Sequence, residues 1–184
     1  MNRRNLLAAL AGAVTMFLWS FVAHTVLPLG EAGIKEIPGE QAVITAMRTA
    51  LGDSPGLYFF PGMGTPQVSA EEYAKRLAAN PSGILVYRAP GEKPITPGQL
   101  GTEFATELAE CLLVVFLLVQ TSLVSFQSRL GFVTVAGLLA AISTNISYWN
   151  WYSFPVVYTA GYMTTQIVGF FLAGLVIAYL TKSR

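Results

Sequence analysis

Residues 101–115 read GTEFATELAECLLVV: three carboxylates, Glu103, Glu107 and Glu110, run straight into an apolar stretch. Steps of four and three put them on one helical face. The stretch is read as the opening of the second of four membrane spans. A charge near hydrocarbon is expensive, so the three acids need a reason to be there.

The rest of the chain supplies the context. It has 184 residues, of which 53% are hydrophobic and 11% charged, with a mean hydropathy of +0.54. Soluble domains carry about a quarter of charged residues, so the composition points to a membrane protein. Crossing hydrocarbon takes roughly 20 mostly apolar helical residues. Four segments qualify: 6–26, 110–126, 130–149 and 155–180. The second has only seventeen residues and borrows the turn before it. The first follows Arg3 and Arg4, as a signal peptide would, but its apolar run is long and no A-x-A site follows; a retained anchor is expected.

Orientation follows from the basic residues. Arg3, Arg4, Arg129, Lys182 and Arg184 flank the spans on one side with no acid among them. The other side holds all ten acids together with Lys35, Arg48, Lys75, Arg76, Arg88 and Lys93. Both termini are therefore expected in the cytoplasm. The aromatic run Tyr148, Trp149, Trp151, Tyr152 and Phe154 fits the headgroup level at the opposite face.

Residues 28–100 are too polar and too interrupted to span. Val43, Ile44, Met47 and Leu51 fall at helical spacing within 40–51, and GLYFF at 56–60 reads as a strand between Pro55 and Pro61. Ser69 with Glu72 three residues on opens a second helix, which Asn80-Pro81 stops. Residues 83–89 read as a second strand. Two strands do not make a stable sheet alone, so they are expected to pair and to pack on their own helices around a thin core. The expected fold is mainly α and integral to the membrane, with four transmembrane helices and a small α/β extracytoplasmic domain between the first and second spans. Its parts are an anchor at 1–27, the outer domain at 28–100 and a three-helix membrane region at 101–184.

With LWSFVAHTVLP (18–28), GLYFFP (56–61) and SYWNWYSFP (147–155) placed, nearly the whole chain resembles a family of small four-span bacterial inner-membrane proteins. The resemblance implies a bacterial inner membrane and the four-span layout. It brings no catalytic residues with it.

The candidate site is assembled by depth. Counting about 20 residues back from Phe126 sets the outer boundary near Glu107, so Glu103 and Glu107 read as a stalk and Glu110 as an acid just inside the span. His24, the single histidine, lies near the outer end of the first span with Ser20 one turn below. In the later spans Asn145 lies one turn below Trp149, and Tyr158, Tyr162 and Gln166 repeat every four residues. The expectation is a polar cavity lined by His24, Glu107, Glu110, Asn145, Tyr158, Tyr162 and Gln166. Interhelical hydrogen bonding is the plainer account of the same residues. A histidine with carboxylates suits a hard metal by ligand type, but no E-x-x-H, H-x-x-x-H or second histidine is present.

Small residues recur at steps of four in Ala8/Gly12, Gly137/Ala141, Gly169/Ala173 and Gly174/Ala178, a pattern that serves internal packing or assembly equally. One cysteine, Cys111, excludes an internal disulfide and is expected buried. There is no P-loop, GxGxxG, G-x-S-x-G, CxxC or metalloprotease helix and no basic run; no cofactor, nucleotide or nucleic acid is expected. These features lead to a non-catalytic membrane protein, an accessory subunit or ligand binder, taking a partner protein, a second copy, a lipid or a small ligand at its extracytoplasmic side. The alternatives are transport of a small solute or proton by an oligomer, and a membrane-embedded enzyme acting on lipid with Glu110 and His24 as acid and base.

Overall fold

The computed structural model describes residues 1–64, 66–91 and 93–181. Lys182 and Arg184, two of the basic residues behind the expected orientation, lie outside the described residues. The chain is mainly helical, 68% helix. Its elements in order are α1 (Arg3–Thr25), a short 3-10 turn (Leu29–Glu31), α2 (Glu40–Leu51), β1 (Gly56–Phe60), α3 (Ala70–Ala79), β2 (Gly83–Tyr87), α4 (Pro97–Leu118), α5 (Phe126–Tyr152) and α6 (Val156–Leu180). They divide into two compact units, Met1–Ile34 with Ile95–Arg184, and Lys35–Pro94.

Three helices of the first unit, α1, α5 and α6, are long and apolar enough to cross a membrane. The fourth, α4, has 22 residues and matches them in length, but Glu103, Glu107 and Glu110 in its first half make it more polar than they are. The four form a row in which α1 packs between α4 and α6, and α6 packs in turn against α5. Ala9, Ala13, Met16, Cys111, Val114, Val115, Leu118, Val133, Phe170, Ala173 and Ile177 make up the shared core. The small-residue pairs are what allow such close approach. Gly12, Gly137 and Gly174 are buried between helices; a Cβ on Gly12 would stand 2.9 Å from the Ile177 side chain, and one on Gly137 would overlap that of Phe170. The pairs serve packing within the chain.

Helix ends follow local chemistry. Asn2 caps α1 by accepting from the Asn5 amide, and Thr96 with Gln99 forms a complete capping box ahead of Pro97 in α4. The other end of α4 departs from expectation. Hydropathy carries the span to Phe126, yet the helix stops at Leu118. There the Thr121 amide and hydroxyl both donate to the Leu118 carbonyl, at 3.1 and 2.7 Å, and draw the last turn tight. Ser125 then caps α5, which begins at Phe126 rather than residue 130 and runs to Tyr152, taking the aromatic run into its last turns.

In the second unit β1 and β2 pair antiparallel, with Leu57 opposite Val86 and Phe59 opposite Ile84. The Tyr87 hydroxyl donates to the Gly52 carbonyl at the end of α2, at 2.7 Å, and Ser69 caps α3 through the Glu72 amide. The core is as thin as its size predicts: Tyr87 is the only fully buried large hydrophobic residue of this unit among the described residues, while Val43, Ile44, Met47 and Leu51 are half-buried.

Candidate functional site

The acids of α4 divide by exposure. Glu103 is exposed and Glu110 half-buried, whereas Glu107 turns into the seam with α1 and keeps 4% of its surface. Because α4 ends at Leu118, Glu107 stands eleven residues from that end, about 16 Å along the axis, and lies mid-helix. The Ser20 hydroxyl donates to Glu107 Oε1 at 2.7 Å. The second carboxyl oxygen, Oε2, is buried with no hydrogen-bond partner among the described residues. Around this contact the seam is apolar: Phe17 meets Phe104 edge to face at 5.7 Å, and Cys111 lies one turn further along beside Met16. Cys111 is 1% exposed, as the sequence led one to expect.

Ser20 also reaches His24, through its main chain. His24 Nδ1 lies 2.8 Å from the Ser20 carbonyl, and the imidazole meets the Tyr162 ring edge to face at 5.9 Å. Serine, histidine and glutamate thus adjoin, but they do not form a nucleophile relay. That chemistry needs the imidazole on the serine hydroxyl, and here the hydroxyl is bonded to Glu107 instead. No hydrogen bond joins His24 to Glu110 among the described residues. Nor is any group of three or more His, Cys, Asp or Glu side chains placed to hold a metal ion, among the described residues.

The remaining residues gather between α5 and α6. Asn145 Nδ2 donates to Gln166 Oε1 at 2.7 Å and to the Ala141 carbonyl at 2.9 Å, which satisfies a buried amide inside the bundle. Toward the Tyr152 end of α5 the rings form a continuous run. Tyr148 stacks on Phe154 (5.5 Å, 17°), Phe154 meets Tyr158 edge to face (5.3 Å, 78°), and Tyr158 lies against Tyr162 (4.6 Å). Together with Thr144, Asn145 and Thr159 these four rings line a cavity of about 170 Å³.

The seven residues singled out from sequence therefore do not surround one space. Asn145, Tyr158 and Tyr162 line the cavity. Gln166 holds Asn145 from behind, and His24 backs Tyr162. Glu107 and Glu110 belong to α4, on the far side of α1 in the row. Periodicity along single helices missed five participants: the Ser20 hydroxyl, Thr144, Tyr148, Phe154 and Thr159. It also missed Trp19, whose Nε1 donates to the Thr165 carbonyl at 2.8 Å and ties α1 to α6. A serine at the depth of a buried glutamate was a usable signal; the other contacts cross between helices and leave none in the spacing.

No protein-family model, no curated protein and no solved structure matches the chain, so geometry alone carries the reading of this site.

Proposed function

We propose that this chain is a non-catalytic protein of a bacterial inner membrane that binds a ligand at the extracytoplasmic end of its helix bundle. In this reading α4 is a fourth span, both termini are cytoplasmic, and residues 35–94 form a small extracytoplasmic α/β domain. Several features favour α4 as a span. Its 22 residues reach about 33 Å, it shares the apolar core through Cys111, Val114, Val115 and Leu118, and its exposed residues beyond the acids are Leu113, Phe116 and Leu117.

The observation that carries ligand binding is the aromatic cavity between α5 and α6. It lies at the α1 C-terminal end of the row, where the orientation places the extracytoplasmic face, and Thr159 Oγ1 on its wall is buried without a partner among the described residues. Aromatic walls with a few polar groups are the usual make-up of a ligand site; at about 170 Å³ this one is smaller than the usual range of roughly 300–1,000 Å³ and suits a small molecule or part of a lipid chain. The test is native mass spectrometry of protein extracted gently from its membrane, beside Thr144→Trp, which fills the cavity from the exposed face of α5. The wild type should carry a bound small molecule or lipid that the variant lacks. A bare wild type, or equal retention by both, overturns the reading; a co-purifying protein lost in neither would move the function to an accessory role.

Transport is the second reading, and one observation favours it: a carboxyl buried mid-helix in α4 with one oxygen unpartnered. Proton or solute flux in proteoliposomes that Glu107→Gln abolishes would establish it over binding.

A further inference from the structure

The opposite end of the bundle holds a larger cavity, about 670 Å³, within the range of roughly 300–1,000 Å³ common for ligand sites. It exists because α4 stops early. From Leu118 the chain crosses to Ser125 without regular structure, and a cavity opens between this segment and the first turns of α1 and α5. Its polar lining comes from Asn2, the cap of α1, Asn5 within that helix, Gln120, Thr121 and Ser122 of the crossing segment, Arg129 of α5, and Thr181 just past α6. Irregular backbone at membrane depth is tolerated where it lines such a polar space.

Among the described residues, the charged side chains at this end have one sign. Arg3, Arg4 and Arg129 lie here, and Arg4 Nε donates to the Leu180 carbonyl. The nearest acid along α4 is Glu110, eight residues or about 12 Å from Leu118. Arg129 Nη1 donates to the Val124 carbonyl at 3.2 Å, while its Nε is buried with no partner among the described residues. A guanidinium has five donors in a planar fork and no acceptor, so this arginine holds unused donors beside a cavity whose other polar groups are amides and hydroxyls. Phosphate oxygens answer that set by geometry as well as by charge.

We propose that this cavity binds a phosphate group, that of an anionic phospholipid in the leaflet at the N-terminal end of α1. Basic pockets between spans are a known way to hold such headgroups. The assignment of that leaflet to the cytoplasmic side rests on the orientation proposed above; the site itself does not.

The full chain in nanodiscs, with phosphatidylglycerol titrated against phosphatidylethanolamine of the same acyl chains, tests this by lipid retention in native mass spectrometry. The wild type should prefer phosphatidylglycerol, and Arg129→Gln should weaken that preference about fivefold, the usual effect of one basic residue at a lipid surface. Ser122→Asp, which leaves the arginine in place and sets a carboxylate in the cavity, should weaken it at least as much. Arg3→Gln, at the same end but outside the lining, should weaken it clearly less than Arg129→Gln does. No preference in the wild type, no effect of either cavity variant, or an equal loss with Arg3→Gln overturns the proposal. Inorganic phosphate separates the two sources of the group. Failure of millimolar phosphate to displace the lipid supports the phospholipid, and displacement at that level overturns it in favour of a soluble anion. Impermeant labelling of Gln127→Cys reports the leaflet separately, so an inverted topology moves the site to the other leaflet without removing it.

Discussion

Removing Ser20 and removing Glu107 should have opposite effects on stability. Ser20→Ala deletes the one donor to the carboxyl among the described residues and leaves both oxygens of a buried side chain without partners. An unsatisfied buried acceptor costs about 1–3 kcal/mol in general, while hydrogen bonds between spans average about 0.6 and reach about 1.7 kcal/mol. With a 2.7 Å bond and a side chain only 4% exposed, the upper part of that span range is expected, a loss of about 1–2 kcal/mol. Glu107→Met removes the carboxyl along with its orphaned oxygen and nearly keeps the volume. Replacing a buried polar group by an apolar one of similar shape is neutral or stabilising, by about 0–2 kcal/mol. The freed Ser20 hydroxyl can donate to the carbonyl four residues back, as Thr15 and Thr25 do on the same helix. In the double variant Ser20→Ala should then cost almost nothing. Unfolding by SDS titration in mixed micelles, followed by tryptophan fluorescence, measures all four corners of the cycle. If Glu107→Met proves more destabilising than Ser20→Ala, the carboxyl is holding the seam together and the argument fails.

Other outcomes follow from the same structure. Gly137→Ala forces a methyl into the Phe170 side chain and should cost about 1–3 kcal/mol, whereas Gly131→Ala, with nothing nearby, should gain about 0.5–1 kcal/mol from helix propensity; thermal unfolding in detergent compares them. Asn145→Ala and Gln166→Leu should show a coupling of about 0.6 kcal/mol in a double-mutant cycle, because each amide is the other's partner. Since Cys111 is buried, a cysteine introduced elsewhere is the reactive one; an impermeant maleimide added to intact cells should label Asp53→Cys and spare Gln127→Cys, and the reverse pattern would invert the topology.

The helices and strands were largely legible because each carries its own signal. The apolar spacing in 40–51 and the cap at Ser69 act over a few residues, and the elements form where those signals lie. The end of α4 was not legible. Residues 119–126 keep Val119, Leu123, Val124 and Phe126 among their hydroxyls and one amide, enough to extend the span by hydropathy, which does not register that Thr121 closes the helix onto Leu118 while Ser125 opens the next. The same boundary set the count along α4: taken from Phe126 it falls near Glu107, whereas the helix that ends at Leu118 has Glu107 at its middle. The site was legible in residue type but not in grouping. Asn145 and Gln166 are 21 positions apart on different helices, and Ser20 and Glu107 are 87 apart. Depth places such residues at similar levels; only the order of helices across the row decides which of them meet.

The seam between Ser20 and Glu107 also bears on how the chain is made. A lone helix pays heavily for acids at its centre during insertion, about 2.5–3.5 kcal/mol for an aspartate on a biological scale. Under the four-span reading, α4 leaves the ribosome after α1 and after the whole of residues 35–94. The hydroxyl that receives its central acid is by then already lodged in the bilayer. Insertion of α4 is in this view a templated step, completed against α1 and not against lipid. A ribosome-nascent chain halted far enough past residue 118 for α4 to clear the exit tunnel should hold α4 in the membrane when α1 carries Ser20, and release more of it when that position is alanine.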